Sequence, residues 1–287
     1  MWDTKFLGFD YYFIFYNFFL YSFFGWIYES VLVSVKKKTW VNRGFLNGPM
    51  IPLYGAGATI VYILLGVRTE NAVLVFLEGM ILASILEYIT SFLMERIFHA
   101  KWWDYSQNRY NLHGRICVMA SLFWGFLSIL MTEVLQPLMN QLIANIPRLQ
   151  GEFAGYFILL VFFTDLTVTV IYALQLDKKV ADMQRLREEF TEYVINSKLH
   201  EATEELRTRL ENTQITEWME GFHGKKYFDE IEARFKSFIT KYQKGSEKKS
   251  FVQIRLLKAF PSISFINREY ALRDLKDKLF EKRKNKK

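Results

Sequence analysis

From Tyr11 to Val35 the chain is apolar, crowded with Phe, Tyr and Trp, and long enough to cross a hydrocarbon core that needs roughly 20 residues. Similar stretches recur at about Pro52–Val67, Ala72–Met94, Ile116–Leu135 and Phe153–Leu176. In lipid a segment must satisfy its own backbone N–H and C=O groups, so stretches of this kind are helices. The expected fold is all-α: a polytopic membrane helix bundle of about five transmembrane helices. The second stretch is short, so tilt or flanking anchors have to make up the thickness. Its start, Tyr54-Gly55-Ala56-Gly57-Ala58, is rich in small residues that allow close helix contact. Pro137 to Glu152 reads as a loop.

Between the first two stretches lies Asn42-Arg43-Gly44-Phe45-Leu46-Asn47-Gly48-Pro49-Met50-Ile51-Pro52-Leu53-Tyr54-Gly55. Its prolines and glycines prevent a regular helix until Pro52, where a proline suits the first turn because its missing N–H is not needed there. A plain connector needs no such chemistry, so this block is expected to build something. A second polar block, Trp102 to Arg115, comes after the third stretch. Its Trp102 and Trp103, like Trp40, read as interfacial aromatics.

Acidic and basic residues balance to within one charge up to Asp177, so the net charge of +7 comes from the residues beyond it. A near-neutral aromatic block joined to a basic, charge-dense one predicts a transmembrane domain over 1–177 and a charged, helical cytoplasmic tail over 178–287. Val180, Met183, Phe190 and Val194 keep roughly helical spacing. A break at Gly221 to Gly224 precedes an amphipathic helix from Tyr227 to Tyr242 carrying Phe228, Ile231, Phe235 and Phe238, then a linker from Lys244 to Lys249. Lys36, Lys37, Lys38 and Arg43 come after the first span, and Arg96, Lys101, Arg109 and Arg115 after the third. The other loops hold only Arg68 and Arg148. By the positive-inside rule the N-terminus is outside, the C-terminus is cytoplasmic, and the protein is a multi-pass plasma-membrane protein.

An acid at the centre of a span costs about 2.5–3.5 kcal/mol on insertion scales, so it faces the bundle interior and finds partners. Glu29 and Glu87 both lie toward the cytoplasmic side, where Arg43 and Arg115 enter. These four are expected to share one buried cluster, with Glu87 and Arg115 as partners. Asn42, Asp104 and Asn111 complete the candidate binding set. One reading is an ion-pair knot that staples helices; the other is a polar, cytoplasm-facing pocket. Asp165 pairs across helices or takes up a proton, and its neighbours do not decide which.

Other chemistries are narrowed by what is missing. Cys117 is the single cysteine, which leaves no intrachain disulfide and no cysteine-based zinc site. His99 and His113 lack a set of acidic ligands, so no metal and no cofactor is expected. The start lacks a basic region and a small-residue cleavage site, so the first helix is expected to stay. No phosphate loop, zinc-protease or serine-hydrolase motif occurs, which points away from an enzyme and leaves no catalytic residue to name. The basic tail, with acids interspersed, fits anionic lipid headgroups and not nucleic acid.

Phe24-Gly25-Trp26 with Glu29, Asn42-Arg43-Gly44-Phe45-Leu46 with Gly48-Pro49 and Pro52-Leu53-Tyr54-Gly55, Leu86-Glu87-Tyr88, Trp102-Trp103-Asp104-Tyr105-Ser106, and Asn111-Leu112-His113-Gly114-Arg115-Ile116 resemble a bacterial membrane family. That family is labelled putative ABC-transporter permease, CmpB-like or "type IV". The resemblance is strong over Phe18 to Leu138; Lys258-Ala259-Phe260-Pro261 and Ala271 to Lys276 are similar to tails of family members. It implies a permease subunit in a bacterial inner membrane, partnered by a separate ATPase. Five spans are few for a complete pathway, so a homo-oligomer or a membrane partner is expected as well. Two alternatives stand beside it: a membrane-anchored interaction or regulatory protein using its tail, and a membrane enzyme acting on lipid headgroups with Asp104 or His113 in acid–base roles.

Overall fold

The computed structural model describes residues 2–65, 71–196, 237–238, 240–241, 250–266, 268, 270–273 and 275–276. A short hairpin, Lys5–Phe6 against Phe9–Asp10, leads into α1, Tyr11–Lys37. Asp10 caps this helix by accepting from Phe13 N at 2.7 Å, so one of the orphan N–H groups of the first turn has a partner. The helix ends in its lysine run, with Lys38 in the left-handed conformation. After the irregular 39–51 segment, α2 covers Pro52–Leu64 with its proline in the first turn, as the sequence predicts. Then come α3, Ala72–Phe98, capped by the Asn71 side chain, and α4, Val118–Leu130. Further on, α5 covers Gln136–Ala144 and α6 runs through Arg148–Asn196.

Among the described residues, Tyr11–Lys37, Ala72–Phe98, Val118–Ala144 and Arg148–Glu189 are long and apolar enough to cross a membrane; Pro52–Leu64 is a shorter apolar helix. Many large apolar side chains on them point outward, among them Val73, Phe126, Phe157 and Leu160. Water would penalise that arrangement and lipid does not. This is a membrane helix bundle. Close crossings are set by small residues. A Cβ at Gly55 would run into Ser22 Oγ and the Phe18 carbonyl, so α1 and α2 meet there backbone to backbone. Gly79 of α3 leaves the room that the Ser128 side chain of α4 occupies.

The loop expected from Pro137 to Glu152 does not form. The chain stays helical through Ala144, and only Asn145 to Pro147 separate α5 from α6. Met131–Leu135 forms a π turn, in which Gln136 N–H donates to Met131 O five residues back. A proline lacks an N–H, and its ring collides with the carbonyl four residues earlier, here that of Glu133. The widened turn holds that residue, so the helix continues past the proline instead of stopping. The same turn brings Gln136 into the core. Its Nε2 donates to Asn17 Oδ1 at 2.8 Å and to Asn140 Oδ1 at 3.0 Å, and its Oε1 accepts from Tyr21 OH at 3.0 Å. Asn17 Nδ2 in turn donates to Thr59 Oγ1 at 3.2 Å. This buried polar network joins α1, α2 and α5.

At the end of the bundle that holds the N-terminus, Arg148 pairs with Asp3, Asp10 and Glu152 and lies 4.1 Å over the Tyr12 ring. Tyr16 OH donates to Gly151 O at 2.6 Å. These contacts tie the start of α6 to α1.

Two compact units emerge. The first joins Met1–Tyr172 to a distant segment, Arg255–Ile263; the second comprises Ala173–Ile254 and Ser264–Lys287. In the second, Ala173, Leu176, Val180 and Met183 are buried at alternating spacings of three and four along α6. Arg268 pairs with Asp177, and Arg187 lies 4.3 Å over the Tyr270 ring. Of the tight turn that the sequence predicts over Arg68-Thr69-Glu70-Asn71 only Asn71 is described; the break at Gly221 to Gly224, the helix face of Phe228, Ile231 and Phe235, and the Lys244 to Lys249 linker lie outside the described residues.

Candidate functional site

The block between α1 and α2 is held in shape by side chains from four places in the chain. Asn42 Oδ1 accepts from Trp26 Nε1 at 2.9 Å and from Gly44 N at 3.0 Å, and Asn42 Nδ2 donates to Asn47 O at 2.8 Å. Asn42 therefore builds the loop from within. From α6, the Asp165 carboxylate accepts from Asn47 N (3.1 Å), Asn47 Nδ2 (2.8 Å) and Gly48 N (2.7 Å), and also from Thr169 Oγ1. The intramembrane acid left undecided by the sequence is a loop anchor.

Opposite it, Arg255 donates to Asn47 Oδ1, Gly44 O and Phe45 O at 3.0, 2.7 and 2.5 Å. Burial pulls the Arg255 guanidinium down to about 10 while the Asp165 charge opposes that shift, so it stays protonated at neutral pH. Sequence reading missed Arg255 altogether, because its acceptors lie more than two hundred residues earlier.

Next to this loop the two intramembrane acids come together. Arg43 Nε lies 3.8 Å from Glu29 Oε2, and Tyr54 OH donates to Glu29 Oε1 at 2.8 Å. Glu87, only 4% exposed, accepts from Trp124 Nε1 at 2.9 Å and Tyr105 OH at 3.2 Å. The Tyr54 and Trp124 rings touch with centroids 5.2 Å apart, so the donors to the two carboxylates pack against each other. Arg43 also donates to Ala259 O at 2.9 Å and lies 4.4 Å over the Phe260 ring. Burial lowers the Arg43 guanidinium from its ordinary value, opposed by Glu29. Burial, reinforced by the adjacent Glu87 charge, raises the Tyr105 phenol, which stays protonated and can donate.

The expected four-member cluster is therefore a different set. Glu29, Arg43 and Glu87 are joined by Tyr54, Tyr105 and Trp124, and Arg115 is elsewhere. Arg115 Nη2 donates to Glu95 Oε2 at 2.8 Å, and its guanidinium flanks the Tyr88 and Phe92 rings. Glu87 and Arg115 are not partners.

Asp104 and Asn111 shape the second polar block. Asp104 Oδ1 accepts from Ser106 N and Oγ, and its Oδ2 lies 3.7 Å from Lys101 Nζ. Asn111 Oδ1 accepts from Gly114 N at 3.0 Å, and its Nδ2 donates to Asn108 O. Gly114 has φ +69, and a side chain there would also strike Ser106 and Asp104. His113 pairs with Tyr88 OH at 3.0 Å. Asp104 and His113 thus have separate partners. Trp102, expected at an interface, is buried, edge-on to Phe45, Phe98 and Phe260.

A cavity of about 260 Å³ lies between α1, α2, α3, α4 and the π turn. Tyr54 and Trp124 form part of its wall, and the polar tips of both engage the carboxylates. Its lining is almost wholly apolar.

The family model described as "Putative ABC-transporter type IV" matches residues 16–170. The chain belongs to this family. The match takes in Glu29, Arg43, Tyr54, Glu87, Tyr105, Trp124 and Asp165 and stops short of Arg255. Neither the comparison with curated proteins nor that with solved structures finds a match. The family and the apolar helices make this a membrane protein of a transporter family.

Proposed function

We propose that this chain is a permease subunit of an ABC transporter, worked by a separate ATPase. Its substrate path would run past the layer of Glu29, Arg43, Tyr54, Glu87, Tyr105 and Trp124. The observation that carries this reading is the sharing of one layer by two intramembrane carboxylates and a guanidinium, next to an apolar cavity. Charges are retained in a span against a standing cost, which favours a function for them. An ion pair and aromatic donors meet part of that cost. Asn42, Asp104, Asn111 and Arg115 would then act by fixing the two loops, not by touching substrate. Affinity purification of the tagged full chain from its native membrane is expected to recover an ATPase subunit. Recovery of the chain alone, or only with copies of itself, after several mild detergents would overturn the permease reading.

In this reading the two polar blocks face the cytoplasm of a bacterial inner membrane and the chain passes through it several times. The support is the concentration of lysine and arginine at Lys36 to Arg43 and Arg96 to Arg115. A reporter inserted at Ile146, in the turn between α5 and α6, and one fused after Lys178 should then report opposite compartments. The same compartment for both would refute that orientation. A regulatory role for the tail draws on the contacts of Arg255, Ala259 and Phe260 with the first loop and Arg43.

A further inference from the structure

The wall of the cavity carries a closed circuit of four aromatic rings. Tyr28 meets Tyr54 with centroids 6.5 Å apart, Tyr54 meets Trp124 at 5.2 Å, Trp124 meets Phe123 at 6.1 Å, and Phe123 returns to Tyr28 at 6.1 Å. All four line the cavity. The polar tips of two of them are already used, Tyr54 OH on Glu29 and Trp124 N–H on Glu87. The hydroxyl of Ser128, also in the wall, donates to Trp124 O. Apart from the Tyr28 hydroxyl, the interior therefore presents ring surfaces and aliphatic groups, with little to offer a ligand that needs several hydrogen bonds.

Three kinds of occupant can be weighed on that chemistry. A polar neutral solute would lose its hydrogen bonds to water and regain few. A neutral hydrocarbon fits the lining but gains nothing from the charge behind it. Two carboxylates, Glu29 in ionic contact with the Arg43 guanidinium and Glu87 held by neutral donors, stand on the far side of Tyr54 and Trp124. Aromatic faces are negative, and a ring whose donor is held by a carboxylate is more so. A cation without N–H groups gains from both the rings and the acids, and loses less by leaving water than an ammonium that donates hydrogen bonds.

We propose that the ring of Tyr28, Tyr54, Phe123 and Trp124 is a binding site for a small lipophilic organic cation of the quaternary ammonium type. The volume, near the lower end of ligand pockets at roughly 300 Å³, limits it to a compact molecule. This assignment rests on the permease reading only for its role as cargo; the site itself stands or falls on binding.

The test uses the full chain in lipid nanodiscs and labelled benzyltrimethylammonium, with neopentylbenzene as the uncharged isostere. Saturable binding is expected, with the isostere at least about tenfold weaker as a competitor. Tyr28 is half-exposed and carries one ring of the circuit, so Tyr28→Leu should weaken binding about fivefold or more while Tyr28→Phe retains it. Glu29→Gln leaves Tyr54 an acceptor but removes the charge, and should also weaken it several-fold. Leu127→Trp, which fills the cavity from α4, should abolish binding in protein whose melting temperature is unchanged. No saturable binding, equal competition by the isostere, or wild-type binding by Tyr28→Leu would each overturn the assignment; equal competition would make the cavity a hydrocarbon site. Cation binding that survives when no ATPase is recovered would defeat the permease reading and leave the site standing.

Discussion

Asp165→Leu is expected to lower the unfolding free energy of the full chain by about 2–4 kcal/mol, and Asp165→Asn by about half as much. The aspartate accepts two backbone N–H groups, at Asn47 and Gly48, and the amide of Asn47. Leucine strands all of these donors, whereas asparagine still offers one oxygen. The loss should spread to Arg255, because Asn47 is held by Asp165 through its Nδ2 and by Arg255 through its Oδ1. Asp165→Asn combined with Arg255→Met should therefore cost less than the two single losses added. Unfolding in detergent checks this. Equal losses for Leu and Asn would show that the carboxylate does not anchor the loop.

At the carboxylate layer, Glu87→Leu should cost about 2–4 kcal/mol, since it leaves Trp124 Nε1 and Tyr105 OH as buried donors without an acceptor. Glu87→Gln keeps an acceptor and should cost about 1 kcal/mol. A double-mutant cycle then separates the partners. Arg115→Gln and Glu95→Gln should show a coupling of about 0.5–3 kcal/mol, while Arg115→Gln and Glu87→Gln should add to within about 0.5 kcal/mol. Coupling of Arg115 to Glu87 in place of Glu95 would contradict the geometry at both sites.

Helix positions were legible because each rests on local chemistry. The start of α1 at Tyr11 and the start of α2 at Pro52 follow from where apolar runs and a proline fall. Pro137 misleads because its usual effect, ending a helix, is cancelled by a π turn that no neighbouring residue announces. Glu87 and Glu95 lie two turns apart on one face of α3, about 12 Å along the axis. Membrane depth alone cannot say which of them Arg115 reaches; the end of the helix wins, because the arginine leads back from the second polar block. Glu29, Arg43 and Glu87 were legible as charges that must find partners. Tyr54, Tyr105 and Trp124 were not, since an aromatic near a membrane boundary is ordinarily there for the boundary itself.

The loop between α1 and α2 takes its last hydrogen-bond donor from Arg255, and the arginine within it reaches forward to Ala259 and Phe260. The portion of the protein that surrounds the carboxylate layer is consequently not a prefix of the chain. During synthesis, α1 to α6 emerge with the Gly44 and Phe45 carbonyls still lacking Arg255, and the layer is completed only when residues 255–263 arrive. A chain interrupted anywhere between Asn196 and Arg255 would keep all of α1 to α6 and still lack that final piece.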